Sequence, residues 1–456
     1  MLKKHEKTKQ YTITNNNLFY SSTIALIIFV LYISTQSWLF GLILSSNILQ
    51  IGIIFIVLAI LFFRPRNDKT FSFTFTSFDL LWTISIMFIV FAIYQDGILK
   101  NNDELFVYIT GLIFLIISKL EIKRYIPAFN LFIVFSLIYA MISIFHYFFT
   151  DVYHSVTFPF IPIGTRQRMI ELVNMNYFPG LGFAQPSMAS AIIIVGIGLV
   201  ISELSLKNSG SKKIQVIKII VLMLGLILVG KRSILLWGIL AVILAYFFAV
   251  GAKRRLGRII KIFFLFLVSS FSLFLILNYF NDVSFFSRII ETIEGLKTGD
   301  DVTSGRTVLY ERAWELFKEN PIFGIGWGQF IIITSGELLS RDLVVHNVYL
   351  QLLAEVGLTG FMLIIIPFIY SYIKTFKVLR IIVNSNDFNE NWKWGVAFSF
   401  YYQTFFLLYC LSENPFYNVV YMFIYFLSLS IISSFIVINL INRNNSQGLL
   451  SNKGGR

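Results

Sequence analysis

Long apolar runs alternate with short polar breaks from residue 18 to residue 440. Each run approaches the roughly 20 residues an α-helix needs to cross a bilayer. The pattern predicts spans near 18–39, 41–63, 78–98, 104–120, 126–149, 183–203, 214–230, 233–250, 259–280, 347–370, 394–412 and 417–440. The expected fold is therefore an all-α polytopic membrane protein with about twelve transmembrane helices, since helices satisfy their own backbone in lipid. The first two runs are joined by almost nothing, and the seventh and eighth by Gly230-Lys231-Arg232-Ser233, so each pair reads as a helical hairpin. Two breaks are long, 150–182 and 281–346, and no soluble domain is appended. The chain divides into a tail over 1–17, one membrane domain over 18–440 and a tail over 441–456.

Composition agrees with lipid as the solvent: 57% of residues are hydrophobic and 13% charged, where soluble domains carry about 25% charged residues. The net charge of +13 is a matter of sidedness. With the N-terminus inside, the cytoplasmic segments hold 26 of the 37 Lys and Arg and the outer segments 11. The positive-inside rule thus predicts both termini in the cytoplasm and both long breaks outside. Nucleic acid is not an expected partner, because no basic segment stands apart from the apolar runs. The lone cysteine, Cys410, permits no intrachain disulfide and no Cys-based zinc site. The start, MLKKHEKTKQYTITNNN, is polar and basic, and no cleavable signal peptide is expected.

The second outer loop, 281–346, is the most informative segment. Thr303-Ser304-Gly305 is a plausible helix start. Leu309, Ala313, Leu316 and Phe317 follow on one face and Glu311, Arg312, Glu315, Lys318 and Glu319 on the other, up to Asn320-Pro321. This predicts an amphipathic helix lying in the interface plane. Arg306 falls in its first turn, where the helix dipole prefers an anion. The arrangement suits a bound phosphate, or an Arg paired with Asp300 or Asp301. Gly324-Ile325-Gly326-Trp327-Gly328 reads as close backbone packing or an interfacial turn. His346-Asn347 opens the next span, with Glu355 and Gly357 two to three turns on. His346 is either structural or a proton acceptor.

Lys231 and Arg232 sit between two apolar runs with no acidic neighbour in sequence. They either snorkel to the interface or hold an anion. Gly225 to Lys231 nearly spells a phosphate loop, but Arg232 replaces the required Ser/Thr, so nucleotide binding is rejected. Arg166 and Arg168 occupy the first outer loop, before a Gly/Pro-rich stretch from Phe178 to Pro186 that reads as a plain loop or a re-entrant segment. An outer face with these arginines, one histidine and few carboxylates suits a phosphate-bearing substrate. It argues against a metal site, which would cluster His and carboxylates.

The combination of GKRS at 230–233, SGR at 304–306, NPIFGIGWGQF at 320–330 and HNVYLQLLAEVGLTG at 346–360 resembles the bacterial O-antigen ligase / O-antigen polymerase superfamily. The clear match covers about 180–370; the earlier spans match in number and hydropathy. The resemblance implies a metal-independent glycosyltransferase of the cytoplasmic membrane with an outward-facing site and no cofactor. Its donor would be an undecaprenyl-type lipid-diphosphate-linked oligosaccharide, and its partners membrane lipids, a chain-length regulator and a flippase. Arg232 and Arg306 match the family's diphosphate-holding arginines, and His346 its histidine, which assists the acceptor hydroxyl. Lys231, Arg166, Arg168, Ser304, Asn347 and Glu355 are candidate substrate-binding residues around them. Glu355 could serve as partner to His346 only if the helix bends, since nine residues is about 2.5 turns. Many relatives have Pro-Asn where this chain has Pro186-Ser187.

The resemblance leaves three functions open. A polymerase would extend lipid-linked repeat units into capsule, exopolysaccharide or O-antigen. A ligase would move a finished glycan to an acceptor. A transporter of lipid-linked oligosaccharides would want charges deep within spans and an inverted repeat. The Asn/Lys/Ile/Phe-rich composition suggests an AT-rich organism without lipid A and leans toward the polymerase.

Overall fold

The computed structural model describes residues 21–35, 47–63, 75–95, 102–183, 185–206, 211–249, 257, 306–337, 344–385 and 387–451. These residues are helical, with no strand among them. In chain order the helices are α1 (Ser21–Thr35), α2 (Asn47–Phe62), α3 (Ser77–Gln95), α4 (Asn102–Ile117), α5 (Ile126–Phe148), α6 (Thr150–Thr157), α7 (Ile163–Asn174), α8 (Pro186–Leu206), α9 (Lys212–Val229), α10 (Arg232–Phe248), α11 (Arg306–Glu319), α12 (Gln329–Glu337), α13 (Val348–Asn384), α14 (Glu390–Tyr409) and α15 (Val419–Ser451).

Helices stand at every predicted span except 259–280, which lies outside the described residues, as does 281–305 of the large loop. Among the described residues, five stretches are long and apolar enough to cross a membrane: Ser77–Tyr94, Ile122–Phe148, Pro186–Leu206, Val348–Asn384 and Val419–Asn439. Two boundaries differ from the sequence reading. α13 runs to Asn384 and α15 to Ser451, well past the expected ends at 370 and 440. Past 370 the long side chains of Lys374, Lys377 and Arg380 are good helix formers and carry α13 on, and past 440 no proline interrupts α15. The long break 150–182, for which the sequence predicts no element before the Phe178–Pro186 stretch, holds α6 and α7, and Gly180–Gly182 makes a single 3-10 turn.

Hydrophobic contact does not drive helices together in lipid, so close approach and buried hydrogen bonds must. Gly225 of α9 meets Ala140 of α5 so closely that an added Cβ would lie 2.5 Å from it. Aromatic polar tips tie separate helices together. Tyr139 Oη donates to the Ser34 carbonyl (2.6 Å), Trp394 Nε1 to the Leu199 carbonyl (2.9 Å), Trp82 Nε1 to Ser371 Oγ (2.9 Å) and Tyr402 Oη to the Tyr421 carbonyl (3.0 Å). Away from the turns described below, Lys119 and Asp79 form a buried ion pair to which Thr76 also donates. A Lys–Asp pair out of water persists only when such extra bonds satisfy it. α15 is the most enclosed of the described helices: 89% of its most apolar stretch is buried, against 44% for the stretch containing α5.

Candidate active site

The Gly-rich segment after α11 exists to interrupt α13. Gly357 takes φ 63°, ψ −172°, inside what would otherwise be a continuous helix. In an unbroken helix Leu358 and Thr359 would donate to the carbonyls of Ala354 and Glu355, four residues back. Here they donate instead to Pro321 (2.8 Å) and Ile322 (3.2 Å). The two carbonyls released accept from Ile325 (2.9 Å) and Gly326 (2.8 Å). Every backbone group displaced by the break is thereby satisfied by one loop. Such close backbone contact excludes side chains, and an added Cβ on Gly324 would strike the Glu355 carbonyl. The clasp fixes α11 against the start of α13. Leu309, Ala313 and Leu316 of α11 bury with Phe330, Val345 and Ala354. A helix stands at Arg306–Glu319, and this much of its apolar face is covered by protein.

His346 and Asn347 lie at the N-terminus of α13. Asn347 Oδ1 accepts from the amides of Tyr349 (3.0 Å) and Leu350 (3.1 Å), so it caps the helix. His346 has φ 55°, rare for a residue with a Cβ and a sign of a position fixed by its surroundings. The following amide, Val348 N, donates to the Cys410 carbonyl (2.9 Å), pinning this corner to the turn after α14.

That turn supplies a residue the sequence reading missed. Glu413 Oε2 lies 2.9 Å from His346 Nδ1, and Glu413 Oε1 accepts from Arg306 Nη2 (3.0 Å). Arg306 also donates Nη1–H to the Ser412 carbonyl (2.7 Å), and Trp237 of α10 donates to Ser412 Oγ (2.8 Å). Burial alone would raise the Glu413 pKa. The His346 hydrogen bond and the charges of Lys231, Arg306 and His346 overcome that and hold it down, to about 2. An ionised carboxylate only accepts, so the proton of this contact is on His346 Nδ1, leaving Nε2 as the lone-pair nitrogen of the neutral ring.

A depressed carboxylate pKa stabilises the fold above the unfolded value of 4.5, and that contribution is lost as pH falls toward 2. With only 13% of its side chain exposed, Glu413 should contribute about 3 kcal/mol above pH 4.5. Unfolding of the detergent-solubilised protein should lose that much more stability between pH 4.5 and 2 than Glu413→Gln does. Parallel pH curves for the two proteins would contradict the charge assignment.

Three helix N-termini face this turn, and together they carry four of the predicted residues. Gly230 (φ 85°) ends α9 in a left-handed cap, and Lys231 and Arg232 open α10 immediately after it. Arg306 opens α11, and His346 precedes α13. Their dipoles add partial positive charge to the cations. Glu355, considered as a partner for His346, has a different place: it is fully buried, accepting from Gln351 Nε2 (3.0 Å) and Tyr417 Oη (3.1 Å). Asn414 Nδ2 donates to Gln351 Oε1 (2.7 Å), so Glu355 connects to the Glu413 turn from behind. Arg166 donates to the Ile161 carbonyl and Arg168 pairs with Glu171 on the exposed side of α7. Ser304, with Thr303 and Gly305, lies outside the described residues. Glu413 was detectable in principle as the acid in a short break between two apolar runs, 67 residues from His346.

Cations gathered beside a carboxylate-oriented imidazole have the chemistry to hold a diphosphate and to take a proton next to it. No curated protein matches the chain. Residues 217–365 match the family model described as O-Antigen ligase. This segment contains Lys231, Arg232, Arg306, His346 and the whole glycine clasp, while Glu413 follows it. The matched segment, about a third of the chain, holds the cations, the imidazole and the backbone clasp that positions them, and over these residues the chain is similar to the O-Antigen ligase family.

Proposed function

We propose that the protein polymerises lipid-diphosphate-linked oligosaccharide repeat units at the outer face of the cytoplasmic membrane. The observation that supports glycan transfer is Glu413 holding Arg306 and His346 on its two oxygens, and the Asn/Lys/Ile/Phe-rich composition is what leans the reading toward a polymerase. An acceptor hydroxyl attacks the anomeric carbon of the donor, and the sugar–oxygen bond to the diphosphate breaks with its electron pair going to the leaving phosphate. His346 Nε2 takes the hydroxyl proton, and Glu413 stabilises the imidazolium that forms. Two of the five N–H donors of Arg306 are given to the turn, and the rest of the fork is available to the diphosphate. Lys231 and Arg232 supply further positive charge from the α10 terminus.

A ligase would use the same chemistry with another acceptor. Transport of a lipid-linked glycan would need no oriented base, so the Glu413–His346 pair weighs against it. Arg306→Ala should lower the transfer rate about 100-fold, the usual scale for losing one transition-state donor. Arg306→Lys should recover little, since an ammonium lacks the fork. Arg232→Ala and His346→Ala should likewise abolish long-chain product with the protein still in the membrane. Deletion should leave single repeat units on the carrier; long carrier-linked chains after deletion would indicate a ligase, and normal chain lengths from Arg306→Ala would remove its assigned role.

A further inference from the structure

The predicted in-plane helix, α11, buries much of its apolar face against protein, whereas α6 leaves an apolar face open. Helix α5 is 23 residues long, about 34 Å, which exceeds the hydrocarbon core of about 30 Å. Its last residues therefore stand at the membrane boundary. The chain then breaks at Phe149 (φ −133°, ψ 50°) and α6 begins. His146 stacks on Tyr153 with ring centroids 4.0 Å apart, and its Nε2 lies 3.3 Å from His154 Nε2. In a continuous helix these residues would be separated by about 10–12 Å along the axis. α6 thus lies across the end of α5.

The faces of α6 are unlike one another. Tyr153 is buried and donates to the Gly180 carbonyl (2.6 Å). Val152 and Val156, one turn apart, are exposed, Val156 by 60%, and Phe160 beyond them by 72%. Asp151 and Ser155 form an exposed polar side next to the valines. The valine side follows in sequence from exposed Met141, Phe145 and Phe148 of α5, a stripe that a spanning helix turns to lipid. It carries no charge, and a polar edge borders it, as on helices lying at a membrane boundary.

We propose that α6 is an interfacial helix whose Val152 and Val156, with Phe160 of the turn that follows it, insert among the acyl chains of the leaflet at the Glu413 end of the bundle, with Asp151 and Ser155 toward the headgroups. The helix is tied inward: Tyr153 holds Gly180, and the amide of nearby Phe178 donates to the carbonyl of Leu228 (3.0 Å), two residues before Gly230. Its depth therefore sets the height of the turn bearing Lys231 relative to the lipid surface.

The test uses full-length protein in phosphatidylcholine vesicles with single cysteines at Val156→Cys, Phe160→Cys or Ser155→Cys, labelled with an environment-sensitive fluorophore; native Cys410 is buried. Labels at 156 and 160 should emit blue-shifted light and be quenched severalfold by lipids brominated on their acyl chains, and the label at 155 should not. Water-like emission at 156 and 160 would overturn the proposal. So would blue-shifted emission without bromolipid quenching, which would mean that another protein surface or a second copy covers this face.

Discussion

Glu413→Gln should slow glycan transfer by about 10³ to 10⁴-fold, the scale seen when the buried carboxylate of a Ser-His-Asp triad becomes an amide. The substitution conserves volume, so the turn after α14 should keep its shape. It removes the charge that Arg306 and His346 share through separate oxygens. An amide can present an N–H to Nδ1 and favour the tautomer that places the proton on Nε2, where the base is needed. Glu413→Asp keeps the charge on a shorter arm and should recover part of the rate. The measurement is chain extension by membranes supplied with lipid-linked repeat units, normalised to protein content. Full activity in the Gln variant would show that the carboxylate is a fold contact and nothing more.

Gly357→Ala should destabilise the protein by about 3 kcal/mol or more, because it combines backbone strain with a steric clash. The conformation at Gly357 lies in a region that residues with a Cβ hardly ever occupy. The added methyl would also meet the carbonyl of Ile322 and, at 2.5 Å, the amide nitrogen of Phe323. Neither can retreat without losing the bonds from Leu358 and Thr359. Gly324→Ala meets the same obstruction from the other side and should behave alike. Gly52→Ala, with open space around its Cβ, is the control and should leave the unfolding temperature unchanged or slightly raised. Equal stability of Gly357→Ala and Gly52→Ala would mean that the break in α13 can heal into a regular helix.

These glycines show what the sequence conveys and what it withholds. Alternate glycines around Trp327 read as close backbone packing or an interfacial turn, and Gly324 and Gly326 pack backbone against backbone; their partner, the Ala354–Gly357 stretch of another helix, is set by long-range topology that local pattern does not encode. Arg306 and His346 stand out because each is a polar residue at the edge of an apolar run, opposing a dipole or opening a span. Glu413 carries the same kind of signal but lies outside the motifs, so its convergence on His346 emerges only from the packing of α14 beside α13. Asn347 is read as polar and near the histidine, yet its Oδ1 is committed to capping α13. Helix positions follow apolar runs well because bilayer thickness sets their length. The ends of α13 and α15 do not, because a helix can continue into water beyond the point where hydropathy falls.

The burial of α15 has a consequence for how the molecule is made. Chains enter the membrane in order of synthesis, yet the most enclosed of the described helices is also the last of them. The earlier helices must wait around an unfilled centre until residues 419–451 emerge from the ribosome. The turn carrying Glu413 is held between α14 and that late arrival, so Arg306 and His346 receive their carboxylate only when the bundle closes. A nascent or truncated chain would display the cations and the imidazole without the group that orients them, and the proposed transfer would wait until assembly of the bundle is finished.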